Sequence, residues 1–75
     1  MQIYVLYFAS LREERECDGE PLVLSQSMRV KSLFEHIFSR DPIGLRFAVN
    51  QCYVSADTWL EDGDEVAFIP PLGGG

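Results

Sequence analysis

The sequence predicts an α+β fold in which a mixed sheet of about four to five strands packs on one main helix. Three observations predict it. A chain of 75 residues has material for one sheet and one helix and little more. Apolar, β-branched and aromatic runs of strand length lie towards both ends of the chain. Only one segment, residues 30–38, carries apolar residues at helical spacing.

The elements come in order along the chain. Residues 2–9 hold Ile3, Tyr4, Val5, Tyr7 and Phe8 with almost no polar interruption, which predicts a first strand wanting cover on both faces. Residues 11–19 are charged and end in the turn pair Asp18-Gly19, and residues 21–24 resume an apolar run that suits the second strand of a hairpin. Pro21 lacks an amide donor, which places that strand at an edge or places the proline at its start. Ser27 is the candidate N-cap of the helix, whose stripe is Val30, Leu33, Phe34, Ile37 and Phe38. Asp41-Pro42 and Gly44 end it, because a residue before proline is pushed out of the α region. Residues 47–49 and 52–54 flank Asn50-Gln51 as a tight hairpin, residues 56–60 read as irregular, and Glu61-Asp62-Gly63-Asp64 reads as a turn. Residues 66–69 form the last strand, stopped by Pro70-Pro71. The predicted order is β-β-α-β-β-β.

Composition narrows the function. A net charge of −6 repels phosphate backbones and anionic headgroups, and the few basic residues form no block, so neither nucleic acid nor a membrane surface is the expected partner. No apolar run is long enough to span a bilayer, and residues 1–10 lack the features of a signal peptide, so a cytoplasmic location is expected. Cys17 and Cys52 have no metal-ligand spacing and are too few for a disulfide framework, which fits a reducing compartment. Asp62, Asp64 and Glu65 lack calcium-loop spacing, so no metal site is expected.

One helix covers one face of a sheet, yet both faces are apolar. Ile3, Val5 and Tyr7 oppose Tyr4, Leu6 and Phe8, and Val66 and Phe68 oppose Ala67 and Ile69. The face left over is an expected docking surface unless a loop such as residues 56–60 covers it. The chain then ends in Pro70-Pro71-Leu72-Gly73-Gly74-Gly75. The prolines stop ladder pairing and the glycines carry no side chain, so the predicted flexible tail, residues 70–75, suits a narrow channel. The four residues after Pro71 reach about 13–14 Å when extended. A glycine-rich end is otherwise simply a frayed terminus or a cloning remnant.

The residues around the tail carry a resemblance. Residues 5–13, Val-Leu-Tyr-Phe-Ala-Ser-Leu-Arg-Glu, resemble the opening motif of the small-subunit sulfur carriers of molybdopterin synthase. Ala48-Val49-Asn50-Gln51 resembles that family's central hairpin, residues 60–71 are similar to its last strand, and Gly74-Gly75 matches its terminal pair. The resemblance implies a β-grasp, ubiquitin-like fold with residues 1–75 as one sulfur-carrier domain. It implies a chain that is non-catalytic alone, with Gly75 as the working group and Gly74 clearing the approach. In the cycle that the resemblance implies, a ubiquitin-activating-like adenylyltransferase makes a transient AMP adduct at Gly75. A sulfur donor such as a cysteine desulfurase or a rhodanese-like protein then converts it to a thiocarboxylate, with no cofactor bound permanently. The large synthase subunit receives the tail, and the sulfur passes to cyclic pyranopterin monophosphate in molybdenum cofactor biosynthesis. Phe8 in the first strand, Tyr53 in the hairpin and Ile69 in the last strand match the family's apolar contact positions, with Pro70, Pro71, Leu72 and Gly73 leading to the terminus. Gly73 departs from the small non-glycine residue more usual there, and residues 39–46 are shorter than usual. A sulfur carrier for thiamine or another pathway, a ubiquitin-like protein modifier and a plain interaction module are the alternatives.

Other residues have bland readings. His36 lies off the helix stripe and is expected in solvent. Cys52 has no basic neighbour in sequence to stabilise a thiolate and is expected to act as a small hydrophobe. Trp59 is either a lid over the core or an interface anchor.

Overall fold

In the computed structural model, which describes residues 1–71, seven elements follow one another. They are β1 (Gln2–Tyr7), α1 (Ala9–Arg15), β2 (Gly19–Val23), α2 (Val30–Phe38), β3 (Arg46–Val49), β4 (Cys52–Val54) and β5 (Glu65–Ile69). The five strands form one mixed sheet in the order β2-β1-β5-β3-β4. The central pair, β1 and β5, is parallel and the other pairings are antiparallel. This is the β-grasp arrangement expected from the sequence.

The period-2 alternation of the strands decides which face meets α2. Ile3, Val5, Tyr7, Val66, Phe68 and Phe47 point to the helix and are buried. From the helix side come Val30, Leu33 and Phe34, with Ile37 and Phe38 partly buried against the same cluster. Aromatic rings fill the middle. Phe34 stacks on Phe38 at 4.6 Å between centroids, Phe68 meets Phe34 edge-on at 5.2 Å, and Tyr7 meets Phe38 edge-on at 5.9 Å. Edge-to-face and offset pairs of this kind add about 0.5–1.5 kcal/mol each beyond the area they bury.

The structure departs from the sequence reading in two places. First, residues 9–15 are a helix. Phe8 therefore lies past the end of β1, as the N-cap of α1, instead of inside the first strand. Ala9 turns the corner at φ 50°, a left-handed conformation uncommon for alanine, and this swings Leu11 into the core. Leu11 is the one buried residue of α1, so the segment reads as merely charged. Second, the N-cap of α2 is Arg29, not Ser27, and no side chain caps it. The loop preceding β5 does so instead: the Val30 amide donates to the Thr58 carbonyl (2.8 Å) and the Lys31 amide to the Ala56 carbonyl (3.0 Å). The Ser27 hydroxyl donates to the Leu60 carbonyl at 2.8 Å, tying the same loop to the approach of the helix. The helix stops at Phe38 because Ser39 is left-handed and its amide donates back to the Glu35 carbonyl.

Pro21 sits on the edge strand β2. The Tyr7 amide donates to the Asp18 carbonyl and the Leu24 amide to the Met1 carbonyl, so residues 18, 20, 22 and 24 bond inward. Pro21 falls on the outward-bonding set, where a missing donor costs the ladder nothing and blunts a free edge. The opposite edge, β4, is three residues long. It follows a two-residue turn at Asn50-Gln51, where both residues have positive φ (52° and 69°).

Candidate functional site

The face of the sheet away from α2 is open. The irregular loop that offered an alternative cover runs on the helix side, with Leu60 in the core and Ala56 packed against it. Strand register therefore dictates what the open face shows. Leu6 pairs with Ala67, Ala67 with Ala48, and Ala48 with Tyr53, so these four residues form one row across β1, β5, β3 and β4. The two alanines at its centre are too short to fill the row. Larger side chains stand around them, leaving a shallow furrow lined by Leu6, Phe8, Tyr53 and Ile69, with Glu65 and Gln51 at its polar end. Phe8 is 43% and Tyr53 68% exposed, fractions that mark uncovered aromatic surface, whereas Ala48 and Ala67 are shielded by their neighbours. Gly19 is needed here: a Cβ at that position would stand 2.8 Å from the Val5 carbonyl oxygen and 2.9 Å from the Tyr4 ring.

The furrow opens towards the root of the tail. Arg46 opposes Ile69 in the ladder, and one step further Tyr53, Ile69, Pro70, Pro71, Arg46 and Gly44 line an adjoining groove. Phe8, Tyr53, Ile69, Pro70 and Pro71, expected from the sequence as contact residues, thus lie together around two confluent depressions. Leu72, Gly73, Gly74 and Gly75 lie outside the described residues. Leu6, Ala48 and Ala67 complete the furrow and Arg46 and Gly44 complete the groove. The signal for Arg46 was the alternation of β3, which puts it on the face of Ala48 two residues on.

Ionisable groups with shifted pKa values lie elsewhere. The Tyr7 hydroxyl, on the helix side, donates to Glu20 at 2.5 Å, and burial together with that bond pushes its pKa well up. The Glu20 carboxyl is held below its usual value by the Tyr7 hydroxyl and then by Arg15, whose Nη2 donates at 2.7 Å. Glu14 is lowered by its bidentate contact with Arg40. None of these lines the furrow. Among the described residues no group of His, Cys, Asp and Glu could hold a metal ion, and no helix is long and apolar enough to cross a membrane. His36 is in solvent as expected. Cys52 is exposed, contrary to the expectation of a small hydrophobe, because β4 is an edge strand. Trp59 is no lid: it is 56% exposed, pairs with Arg29 by an isolated bridge and carries the Arg29 guanidinium 4.6 Å from its ring centroid. The open face offers apolar contact with a polar rim.

Comparison with known proteins places this geometry. The sequence profile of the ThiS family matches residues 5–75. The molybdopterin synthase sulfur carrier subunit of Chlamydomonas reinhardtii is 40% identical over 83 aligned positions, covering 100% of both chains. Among solved structures, a putative molybdopterin converting factor subunit 1 from Pyrococcus furiosus superposes with a TM-score of 0.78 at 34% identity, covering 96% of this chain and 99% of that one. A chain from Helicobacter pylori, seen in a protein-protein complex of subunits 1 and 2 of molybdopterin-converting factor, shares the fold with a TM-score of 0.65 at 21% identity. That match covers 100% of both chains.

Proposed function

This chain belongs to the ThiS family, and from that premise we propose that it is the sulfur carrier subunit of a molybdopterin synthase. The observation that carries the proposal is full-length similarity to a protein of that name, joined to an apolar furrow at the root of a Gly-Gly-Gly tail. The furrow, with Phe8, Tyr53 and Ile69, docks the chain on the large synthase subunit. Pro70, Pro71, Leu72 and Gly73 deliver the end into that subunit's active site.

In this proposal the Gly75 carboxylate attacks the α-phosphate of ATP on a ubiquitin-activating-like adenylyltransferase, and pyrophosphate leaves. A carboxylate is a poor acyl donor and the acyl-adenylate, with AMP as its leaving group, a good one. The terminal sulfur of a persulfide on a cysteine desulfurase or a rhodanese-like donor then displaces AMP to give an acyl disulfide. A second thiol attacks the donor's sulfur, releasing the thiocarboxylate and leaving the donor as a disulfide. The thiocarboxylate sulfur passes to cyclic pyranopterin monophosphate. Gly74 leaves no Cβ beside the reacting carbon, and the chain holds no permanent cofactor.

Intact mass spectrometry tests the chemistry. With ATP, a cognate activating enzyme and a sulfur source, the terminus exchanges one oxygen for sulfur, and deletion of Gly75 abolishes the exchange. No exchange, under conditions that load an authentic carrier, refutes it. Transfer to the large subunit with pyranopterin substrate separates this pathway from thiamine biosynthesis, and amide linkage to lysines of other proteins would mark a modifier instead.

A further inference from the structure

The charges at the two ends of the furrow bear on how a partner sits, provided the chain is the carrier proposed above. Arg46 stands between the furrow and the tail-root groove, with its guanidinium carbon 5.6 Å from the Tyr53 ring centroid. Stacking on an aromatic face holds the planar fork in place. The other arginines are engaged. Arg12, Arg15 and Arg40 pair with Asp18, Glu20 and Glu14, and Arg29 donates to the Asp57 carbonyl while stacked on Trp59. The Arg46 side chain has no ion pair or hydrogen bond among the described residues, although acids outnumber bases twelve to six in the sequence. A partner seated on Tyr53 and Ile69 must cover it. Removing an unpaired guanidinium from water is costly unless the incoming surface brings a counter-charge.

We infer that Arg46 is a specificity residue that pairs with a carboxylate of the large subunit at the tail-proximal end of the apolar contact. Glu65 stands at the other end of the furrow, four residues before Ile69 on β5 and so about 13 Å away. A partner docked the wrong way round would bring its carboxylate to Glu65, where like charges repel. Opposite charges at the two ends therefore set the direction of docking, and with it the direction in which the tail points.

Calorimetric titration of the full chain into the large subunit, at low and high salt, tests this. The expected dissociation constant rises about tenfold for Arg46→Ala and about a hundredfold for Arg46→Glu, with Arg46→Lys between wild type and alanine because an ammonium keeps the charge and loses the fork. The salt dependence of the wild type flattens in Arg46→Ala. Thermal melts of the three variants stay close to wild type, since Arg46 is exposed. Arg46→Glu binding within about twofold of wild type would overturn the inference, as would an undiminished salt slope in Arg46→Ala. A wild-type chain that binds no large subunit at all would instead strike down the carrier function on which the inference stands.

Discussion

Truncating Tyr53 to alanine separates docking from folding. The side chain is 68% exposed on the short edge strand β4. An aromatic side chain presents about 200 Å² when fully exposed, so roughly 130 Å² of Tyr53 is available to a partner. At about 25 cal/mol per Å², covering it stabilises a complex by about 3 kcal/mol, and by about 2 kcal/mol if the ring edge stays wet. Tyr53→Ala should therefore raise the dissociation constant for the large subunit by roughly 30- to 140-fold. Folding stability should change by less than about 1 kcal/mol, because little of the ring is buried in the free chain. Phe68→Ala is the contrast: that ring is fully buried, and its loss should cost about 3–5 kcal/mol of stability. Titration calorimetry and urea denaturation on the same samples give both numbers. An affinity for Tyr53→Ala within about threefold of wild type, or a loss of stability as large as that of Phe68→Ala, refutes the assignment of the open face to docking.

Three further outcomes are expected from the described geometry. Glu20→Gln should lower stability at about pH 7 by about 1–2 kcal/mol, and the gap to wild type should close in acid. The sign comes from the lowered folded pKa of Glu20: its contribution is complete above the usual carboxylate range and is lost as pH falls through the depressed value, so urea midpoints measured along a pH series should converge. Gly19→Ala should destabilise by about 1–3 kcal/mol, read as a lower melting temperature, because the new methyl group meets the Val5 carbonyl, which cannot give way as a side chain can. Gln51→Gly should raise the denaturation midpoint by the equivalent of about 0.5–1 kcal/mol, since glycine adopts the φ of 69° without penalty.

Much of the fold is legible in the sequence because its signals are local. The stripe from Val30 to Phe38 has one period and one meaning, the strands alternate around turn pairs, and the excess of apolar residues on β1 and β5 declares an open face before any coordinate is known. What is not legible depends on distant partners. Residues 9–15 become helical through a single buried anchor, Leu11, and a left-handed Ala9, neither of which leaves a periodic mark. Ser27 has the chemistry of an N-cap, but carbonyls from a loop nearly thirty residues on reach the helix first. Phe8, Tyr53 and Ile69 could be named from the resemblance, whereas the furrow between them requires Ala48 and Ala67 to fall in register. Arg46 is assigned its neighbours only by the β3–β5 ladder.

The parallel pairing of β1 with β5 has a mechanical consequence. Both strands run the same way, so the first residue of the chain and the exit of β5 lie at opposite ends of the sheet. Tension applied between them loads the rungs of that pair in shear, all together, instead of peeling them off one by one. A pull along β5 from its exit, held against Met1, thus meets resistance from every rung of the pair at once.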